Sequence, residues 1–343
     1  YPQDETLIEY LRWKTYMLQR RESPVRPRFV PRAPEQPAAI VDPVPSGLLG
    51  AEIERLPAHA KLCELGDLQV FIAECKQIPA VLREIGRLRE VTFRAVGEGT
   101  GKAIDLDRFD EKYLHLFMWN RGKNELVGSY RLGLVDELLE REGPAGVYTS
   151  SLFKFRSGFL ERLGPSLELG RSFVRAEYQR KPTSLALLWR GVGEFLVRNP
   201  RYKILFGPVS ISRDYNDLSR RLMIEYLEEN HGDDVFAPLV RAKNPPRQRL
   251  DAGERKALSL VRDADDVSAL VSEIEDDNKG MPVLLRHYLK LNARILSFNV
   301  DAAFGHCTDG LIVVDLRTAD VKMCKRFMGE EGYAFYASAG EAA

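Results

Sequence analysis

Hydrophobic and polar positions change period several times along this chain, and each change marks an element. Ile8, Leu11, Thr15 and Leu18 fall on one stripe between Leu7 and Leu18, which predicts a short helix. Ala51 to Leu56 opens a second helix, and Asp67 to Ala73 alternates as a strand does. Ile78, Val81, Leu82, Ile85, Leu88 and Val91 recur near helical spacing, so Ile78 to Val96 reads as a helix. Leu114 to Trp119 and Leu126 to Leu134 form a hairpin about the turn RGKNE. Further on, strands are expected over Leu167 to Val174, Ile204 to Ile211 and Leu311 to Asp315. Helices are expected over Thr183 to Arg198, stopped near Pro200, and over Leu218 to Asn230. Helices interleaved with strands predict an α/β fold, a mixed sheet with helices on both faces. The Pro-rich stretch RESPVRPRFVPRAPEQPAAIVDPVPSG reads as an extended linker, dividing residues 1–47 from a main domain over 48–343.

Composition narrows the function classes. Fifty basic residues balance fifty acidic ones, so no electrostatic footprint for nucleic acid is present. Cys63, Cys75, Cys307 and Cys324 form no CxxC pair, and the five histidines are scattered, so no metal site is expected. Reduced thiols of this kind suit a cytoplasmic protein. No stretch approaches the ~20 apolar residues that span a bilayer.

Candidate chemistry concentrates in LELGRSFVRA, Leu167 to Ala176. In a regular strand Leu167, Leu169, Arg171 and Phe173 share one face, and Glu168 and Ser172 the other. Gly170 marks a bulge, which shifts the phase by one residue and brings Glu168 and Arg171 to the same side. A catalytic strand accounts for this carboxylate, guanidinium and bulged backbone, and so does a structural ion pair beside a kink. In DLDRFDEKYLH, Asp105, Asp107 and Asp110 lack the glycine and distal glutamate of a calcium loop. The segment GEGTGK, Gly97 to Lys102, lacks the first glycine and the Ser or Thr of a phosphate loop. It is either a plain helix-ending loop or a mobile loop that closes over a ligand. Asp301 and His306 lie near Cys307, but adjacent strand residues point apart, so no thiol nucleophile is assembled there.

LELGRSFVRA and YQRKPTSLALLWRGVGEFL together resemble the hemolysin-like branch of the GNAT superfamily. That branch includes the N-acyltransferases of ornithine-lipid synthesis and the long-chain N-acyl amino acid synthases, with autoinducer synthases as distant relatives. The likeness extends through IGRLREVTFRAVGEGTGKAIDLDRFDEKYLHLFMWN, ELVGSYRLG, YKILFGPVSIS and PVLLRHYLKLNARILSFNVDAAFGHCTDGLIVVDL, roughly Ile78 to Leu316.

The resemblance implies a GNAT fold and transfer of a long-chain acyl group to the α-amine of an amino acid. Glu168 would be the general base. Gly170 or a neighbour would give a backbone N–H to the thioester carbonyl, and Arg171 would orient Glu168 or bind an acceptor carboxylate. Ser172 would be a proton donor to the leaving thiolate. Asp107 and Asp110 would hold the acceptor or pair with Arg131, with Arg89 and Arg94 as alternative partners. EYQRKPTS stands where acetyl-CoA enzymes carry a glycine-rich loop. Arg175, Arg180, Lys181 and Arg190 would therefore meet acyl carrier protein in preference to CoA, with Trp189 beside the acyl chain. The thioester is a co-substrate, and no permanently bound cofactor is expected. Two other readings stand beside this one. An autoinducer synthase is disfavoured because its acidic motif opens on glutamate where this chain has Asp105. A non-catalytic lipid- or membrane-binding module would serve a fused acyltransferase domain, of which residues 1–47 would be a remnant. Peripheral contact with the inner membrane suits either lipid reading.

Overall fold

Ten strands and twelve helices alternate in a computed structural model that describes Ile8, Leu11, Thr15 and residues 36–179, 182–247, 249–259 and 261–339. Helix α1 (Ser46–Glu54) precedes β1 (Lys61–Leu65) and β2 (Leu68–Glu74). Helix α2 (Pro79–Arg94) follows, then the hairpin of β3 (Leu114–Asn120) and β4 (Glu125–Leu134). Two short helices, α3 (Val135–Glu142) and α4 (Phe159–Leu163), flank β5 (Phe153–Phe155) and lead to β6 (Ser166–Val174). Helices α5 (Ala176–Gln179) and α6 (Pro182–Arg198) come next, then β7 (Ile204–Ile211), α7 (Asp217–His231) and β8 (Val240–Ala242). The chain continues through α8 (Ala252–Leu258), α9 (Ala264–Ile274) and α10 (Val283–Lys290). It then forms β9 (Arg294–Asp301), β10 (Cys307–Asp315), α11 (Val321–Met328) and α12 (Glu330–Ser338).

Eight strands form one sheet in the order β1-β2-β3-β4-β6-β7-β10-β9, and β5 pairs with β8 apart from it. Every ladder of the large sheet is antiparallel except β6 with β7. One face is covered by α6, α7, α9, α10 and α11 over Leu167, Leu169, Val209, Ile211, Ile312 and Val314. The other is covered by α2 over Phe71, Phe117 and Phe173, and by α3, α4 and the small sheet over Phe206, Leu311 and Val313. Covering both faces leaves every residue of β4 from Leu126 to Gly133 buried, Ser129 and Arg131 included.

Two irregularities position the site. Arg131 faces Gly170 and Ser129 faces Phe173, so three steps along β6 answer two along β4. This is the bulge that Gly170 foretells, and the residue that turns it is Arg171, at φ 48°. The second is the crossing of β6 and β7, whose ladder holds only from Ser166↔Ile204 to Glu168↔Phe206. At Gly207 a Cβ would lie 2.1 Å from the carbonyl oxygen of Leu169, so a side chain there would wedge the strands apart. Beyond that point the two strands part, and a Cβ at Gly170 would meet nothing within 4 Å. A cleft opens there, one wall being the unpaired edge of the bulged strand.

The expected division at 47/48 falls inside α1. The stretch before it is tied to the main body: the Ala38 N–H donates to the Gly101 carbonyl at 2.9 Å and Val41 to Ala103 at 3.0 Å. Val44 donates to the Glu84 carboxylate at 3.0 Å. Ile8, Leu11 and Thr15 are helical, and the rest of the Pro-rich linker before residue 36 lies outside the described residues. No described helix is long and apolar enough to cross a membrane.

Candidate active site

The bulge turns Arg171 onto the same face of the sheet as Glu168 and sends Ser172 to the other, where its hydroxyl meets that of buried Tyr130. Glu168 is 1% exposed. One of its oxygens accepts from the Thr149 N–H at 2.6 Å, and the other accepts from the Tyr148 N–H at 2.9 Å and from the Tyr113 hydroxyl. Those two amides open a one-turn 3₁₀ helix, Tyr148–Ser151, whose first N–H groups have no partner within the turn. Glu168 therefore acts as a buried anchor. Its carboxylate is occupied by these donors and closed to solvent.

Through that anchor Glu168 places Tyr148, whose hydroxyl accepts from Arg171 Nη1 at 3.0 Å. The Tyr148 ring lies 5.0 Å from both the Arg171 and the Arg131 guanidinium carbon, a cation–π sandwich. Arg171 also pairs with Asp105 at 3.2 Å and stacks on Phe304 at 4.4 Å. Its contact with Glu168 is thus indirect, through Tyr148.

The acidic motif and Arg131 meet as expected. Arg131 Nη1 stands 2.7 Å from Asp107 and 3.3 Å from Asp110, and Arg89 donates to Asp110 at 2.7 Å. Burial alone would raise the Asp110 pKa, but the Arg89 and Arg131 guanidiniums hold it well below the usual carboxylate range. Asp107 is the more open of the two, with its side chain 27% exposed against 3% for Asp110. Arg94 is not part of this set, because it pairs with Glu90 at 2.7 Å.

The Gly97 to Lys102 loop is held rather than loose. Glu90 accepts from the amides of Thr100 and Gly101 and from the Thr100 hydroxyl, at 3.1, 2.8 and 2.7 Å. Gly97, Gly99 and Gly101 have φ of 72°, 104° and 72°, a conformation that favours glycine. This loop sets Glu98 against Ser210 of β7, near Arg171. Burial pushes the Glu98 carboxyl up to about 7, against the lowering effect of Ser210 and Arg171. Asp309 on β10 and Asp301 on β9 lie close by. Burial first, then Asp301 and Glu98, push Asp309 up to about 8. His306, offered with Asp301 from the sequence, sits exposed in the β9–β10 turn. Cys307 is buried, and burial first, then Asp309, raises its thiol pKa far above the ordinary value, which suits no nucleophile.

The donor-side residues are dispersed. Arg175 is engaged by Glu125 at 2.8 Å and Glu177 at 2.9 Å. Arg180 and Lys181 lie outside the described residues. Arg190 lines an open groove between α6 and α11 with Leu65, Thr183, Ala186, Leu187, Arg326 and Phe327. Trp189 is 2% exposed, in the core among Tyr130, His287, Tyr288 and Phe327. The void it lines with Val192, Leu196 and Cys324, about 10 Å³, is too small for a lipid chain.

Sequence reasoning missed Tyr113, Tyr148, Thr149, Glu98 and Asp309. Only Asp309 carried a signal, a carboxylate inside the apolar run CTDGLIVVD. Tyr148 and Thr149 act through backbone and ring positions that no spacing betrays.

Comparison with known proteins agrees with this geometry. Residues 88–190 match the family model described as an acetyltransferase (GNAT) domain. The chain is 32% identical over 293 residues to a glycine N(alpha)-acyltransferase of Bacteroides thetaiotaomicron, covering 80% of this chain and 86% of that protein. It is 30% identical to a glycine N(alpha)-acyltransferase of Phocaeicola vulgatus, over 78% of this chain and 84% of the relative. An L-ornithine N(alpha)-acyltransferase of Brucella abortus is also 30% identical, over 74% of this chain and 86% of its own. No solved structure matches. A bulged central strand, a parallel neighbour that parts from it and relatives aligned over most of their length lead to one conclusion: the chain is an acyltransferase and belongs to the GNAT superfamily.

Proposed function

We propose that the protein transfers a long-chain acyl group from a phosphopantetheine thioester to the α-amine of an amino acid. The observation that carries this reading is the cleft between β6 and β7. Beyond Glu168 the β7-facing edge of the bulged strand has no ladder partner among the described residues, so its backbone N–H groups are left to receive a thioester carbonyl. Basic side chains stand at one side of the opening: Arg171 can take an acceptor carboxylate with the donors left after Tyr148 and Asp105.

The reaction needs no covalent enzyme intermediate. A carboxylate takes a proton from the acceptor ammonium, and the freed amine attacks the thioester carbon. The C–N bond forms, the C–S bond breaks, the nitrogen sheds its second proton to solvent, and the thiolate takes up a proton to leave as a thiol. Ser172, whose hydroxyl meets that of Tyr130 on the opposite face of β6, would supply that proton and regain one from solvent. Glycine or ornithine, the substrates named for the relatives, are the first acceptors to test.

Acyl carrier protein is the favoured donor. The α6 groove presents Arg190 and Arg326 beside Leu187 and Phe327, which suits an acidic carrier surface with an apolar patch. A peripheral position at the inner membrane would bring the product to its destination. Mass spectrometry of lipid extracts from bacteria expressing the chain tests the reading. A new fatty amide whose headgroup fragment is an amino acid is expected. Extracts without any new amide, from cells holding soluble folded protein, would contradict it.

A further inference from the structure

The mechanism needs a proton acceptor facing the cleft, and most carboxylates on this face of the sheet are already committed. Glu168 answers to Tyr113, Tyr148 and Thr149. Asp105 answers to Arg171, Asp107 to Arg131, and Asp110 to Arg89 and Arg131. Glu90 holds Arg94 and the glycine loop. Asp301 caps its own turn by accepting from the Ala303 N–H at 2.9 Å. Three carboxylates of this region neither pair with a cation nor accept from a backbone N–H in the described structure: Asp214, Glu98 and Asp309. Asp214 is exposed, in the turn after β7. Asp309 is 6% exposed and sits behind, within the sheet. Glu98 is half-buried, on the loop that lies against Ser210 of β7 and near Arg171 of the bulge.

Several contacts hold Glu98 in that position. Ser210, on the strand that parts from β6, lies against its carboxylate. A Cβ at Gly305 would fall 2.8 Å from the Glu98 Cα and 2.5 Å from the Gly97 carbonyl oxygen, so the β9–β10 turn supports the loop from below. Ser212 donates to the Val96 carbonyl at 2.6 Å. Phe304 of the same turn is shared: it packs edge-on to Phe93 at the end of α2, at 5.1 Å, and its ring lies under Arg171. The loop carrying Glu98 and the bulge carrying Arg171 are therefore fixed to one aromatic post.

Resting on the acyl-transfer reading, we infer that Glu98 is the general base, taking the proton of the acceptor ammonium while Arg171 holds the acceptor carboxylate. An amino acid spans that pair of opposite charges in one orientation, amine toward Glu98 and carboxylate toward Arg171. The proton passes from nitrogen to a Glu98 oxygen before the C–N bond forms and leaves to solvent after the thiol departs. Groups facing Glu98 are Arg171 from β6, Ser210 from β7, Asp214 and Tyr215 after it, and Cys307 and Asp309 from β10. Two carboxylates beside Glu98, Asp214 and Asp309, against one guanidinium favour a proton held among the three. The carboxyl's rise to about 7 follows from burial, and it matches a base that works near neutrality.

Glu98→Gln separates a base from a structural residue when two acceptors are compared. Glycine arrives as an ammonium ion, whereas aminooxyacetate carries a carboxylate and an amine that is already neutral at pH 7. Wild-type and variant protein are assayed with an acyl-carrier-protein thioester and each acceptor, with the melting temperature of both as a folding control. The expected result is a fall of about a hundredfold or more with glycine, and a defect at least tenfold smaller with aminooxyacetate. The wild-type kcat/KM profile should show an acidic limb with its midpoint near 7, absent from the variant. An equal loss with both acceptors, or no loss with glycine, overturns the inference while leaving acyl transfer intact. Wild-type protein that acylates neither acceptor overturns the acyl-transfer reading and this inference with it.

Discussion

Glu168 and Glu98 carry the same functional group in opposite circumstances. Glu168 has both oxygens filled by donors from one turn and one tyrosine, whereas Glu98 has a serine, one nearby guanidinium and like charges around it. Replacing Glu168 by Gln leaves one oxygen to serve two amides and turns an NH₂ toward donors. A loss of about 3 kcal/mol is expected for such a buried, charge-assisted set, measured by urea denaturation. Turnover should fall with it, while the acidic limb of the pH profile survives. A variant that keeps wild-type stability would sink the positioning role. The difference between these glutamates was not legible in the sequence, because Tyr148, Thr149 and Ser210 lie far from either residue along the chain. What was legible was the strand itself: a glycine beside an arginine in an apolar run located the bulge within a residue.

At the scale of elements, the cleft depends on where β6 and β7 stop pairing. Gly207 lets the two strands approach at Leu169 before they separate. Gly207→Ala should cost about 3 kcal/mol, since a methyl group cannot share space with a carbonyl oxygen, and it should lower kcat/KM by moving the bulge. Thermal melts and kinetics on the same preparation check both. Preserved stability would mean that the crossing relaxes freely. The sequence located the long elements, α2, α6, β4, β6 and β7, because their patterns are long and bounded by Pro, Gly or polar turns. It missed β1, β5, β8 and β9 and the short helices α3, α4, α5 and α8 to α12, whose apolar runs are too brief to declare a period. The expected first strand over Asp67 to Ala73 proved to be the second in the sheet, since KLCEL has too few apolar positions to stand out. The linker expected up to residue 47 overran the start of α1 for a physical reason as well. Proline-rich chain pairs with a loop edge as readily as it floats, and here residues 38 and 41 bond to that of 101–103.

Across the whole molecule, charge is balanced in number but divided in its response to pH. Asp110 has a depressed pKa, so its contribution to stability is complete above the unfolded value of about 4 and is lost as pH falls below it. Asp309 and Glu98 behave in the opposite sense. Their folded pKa values, about 8 and about 7, lie above the unfolded ones, so the folded state holds protons that the unfolded state has released. Between pH about 4 and 8 these two make stability fall as pH rises. Asp309→Asn should flatten that decline, which denaturation midpoints at pH 5.5 and 8 would reveal. An unchanged slope would mean that Asp309 is ionised in the folded protein. The same opposition serves the chemistry, since a region that resists negative charge when empty welcomes an ammonium ion.

The measurement that bears most directly on the account is a coupled assay on the purified protein. It is given an acyl-carrier-protein thioester with glycine or ornithine, and free thiol and fatty amide are counted together. The account predicts one amide per thiol released, dependence on the amine, and no acyl adduct on the protein by intact mass. Thiol release without amide, or at a rate indifferent to the amine, would contradict it.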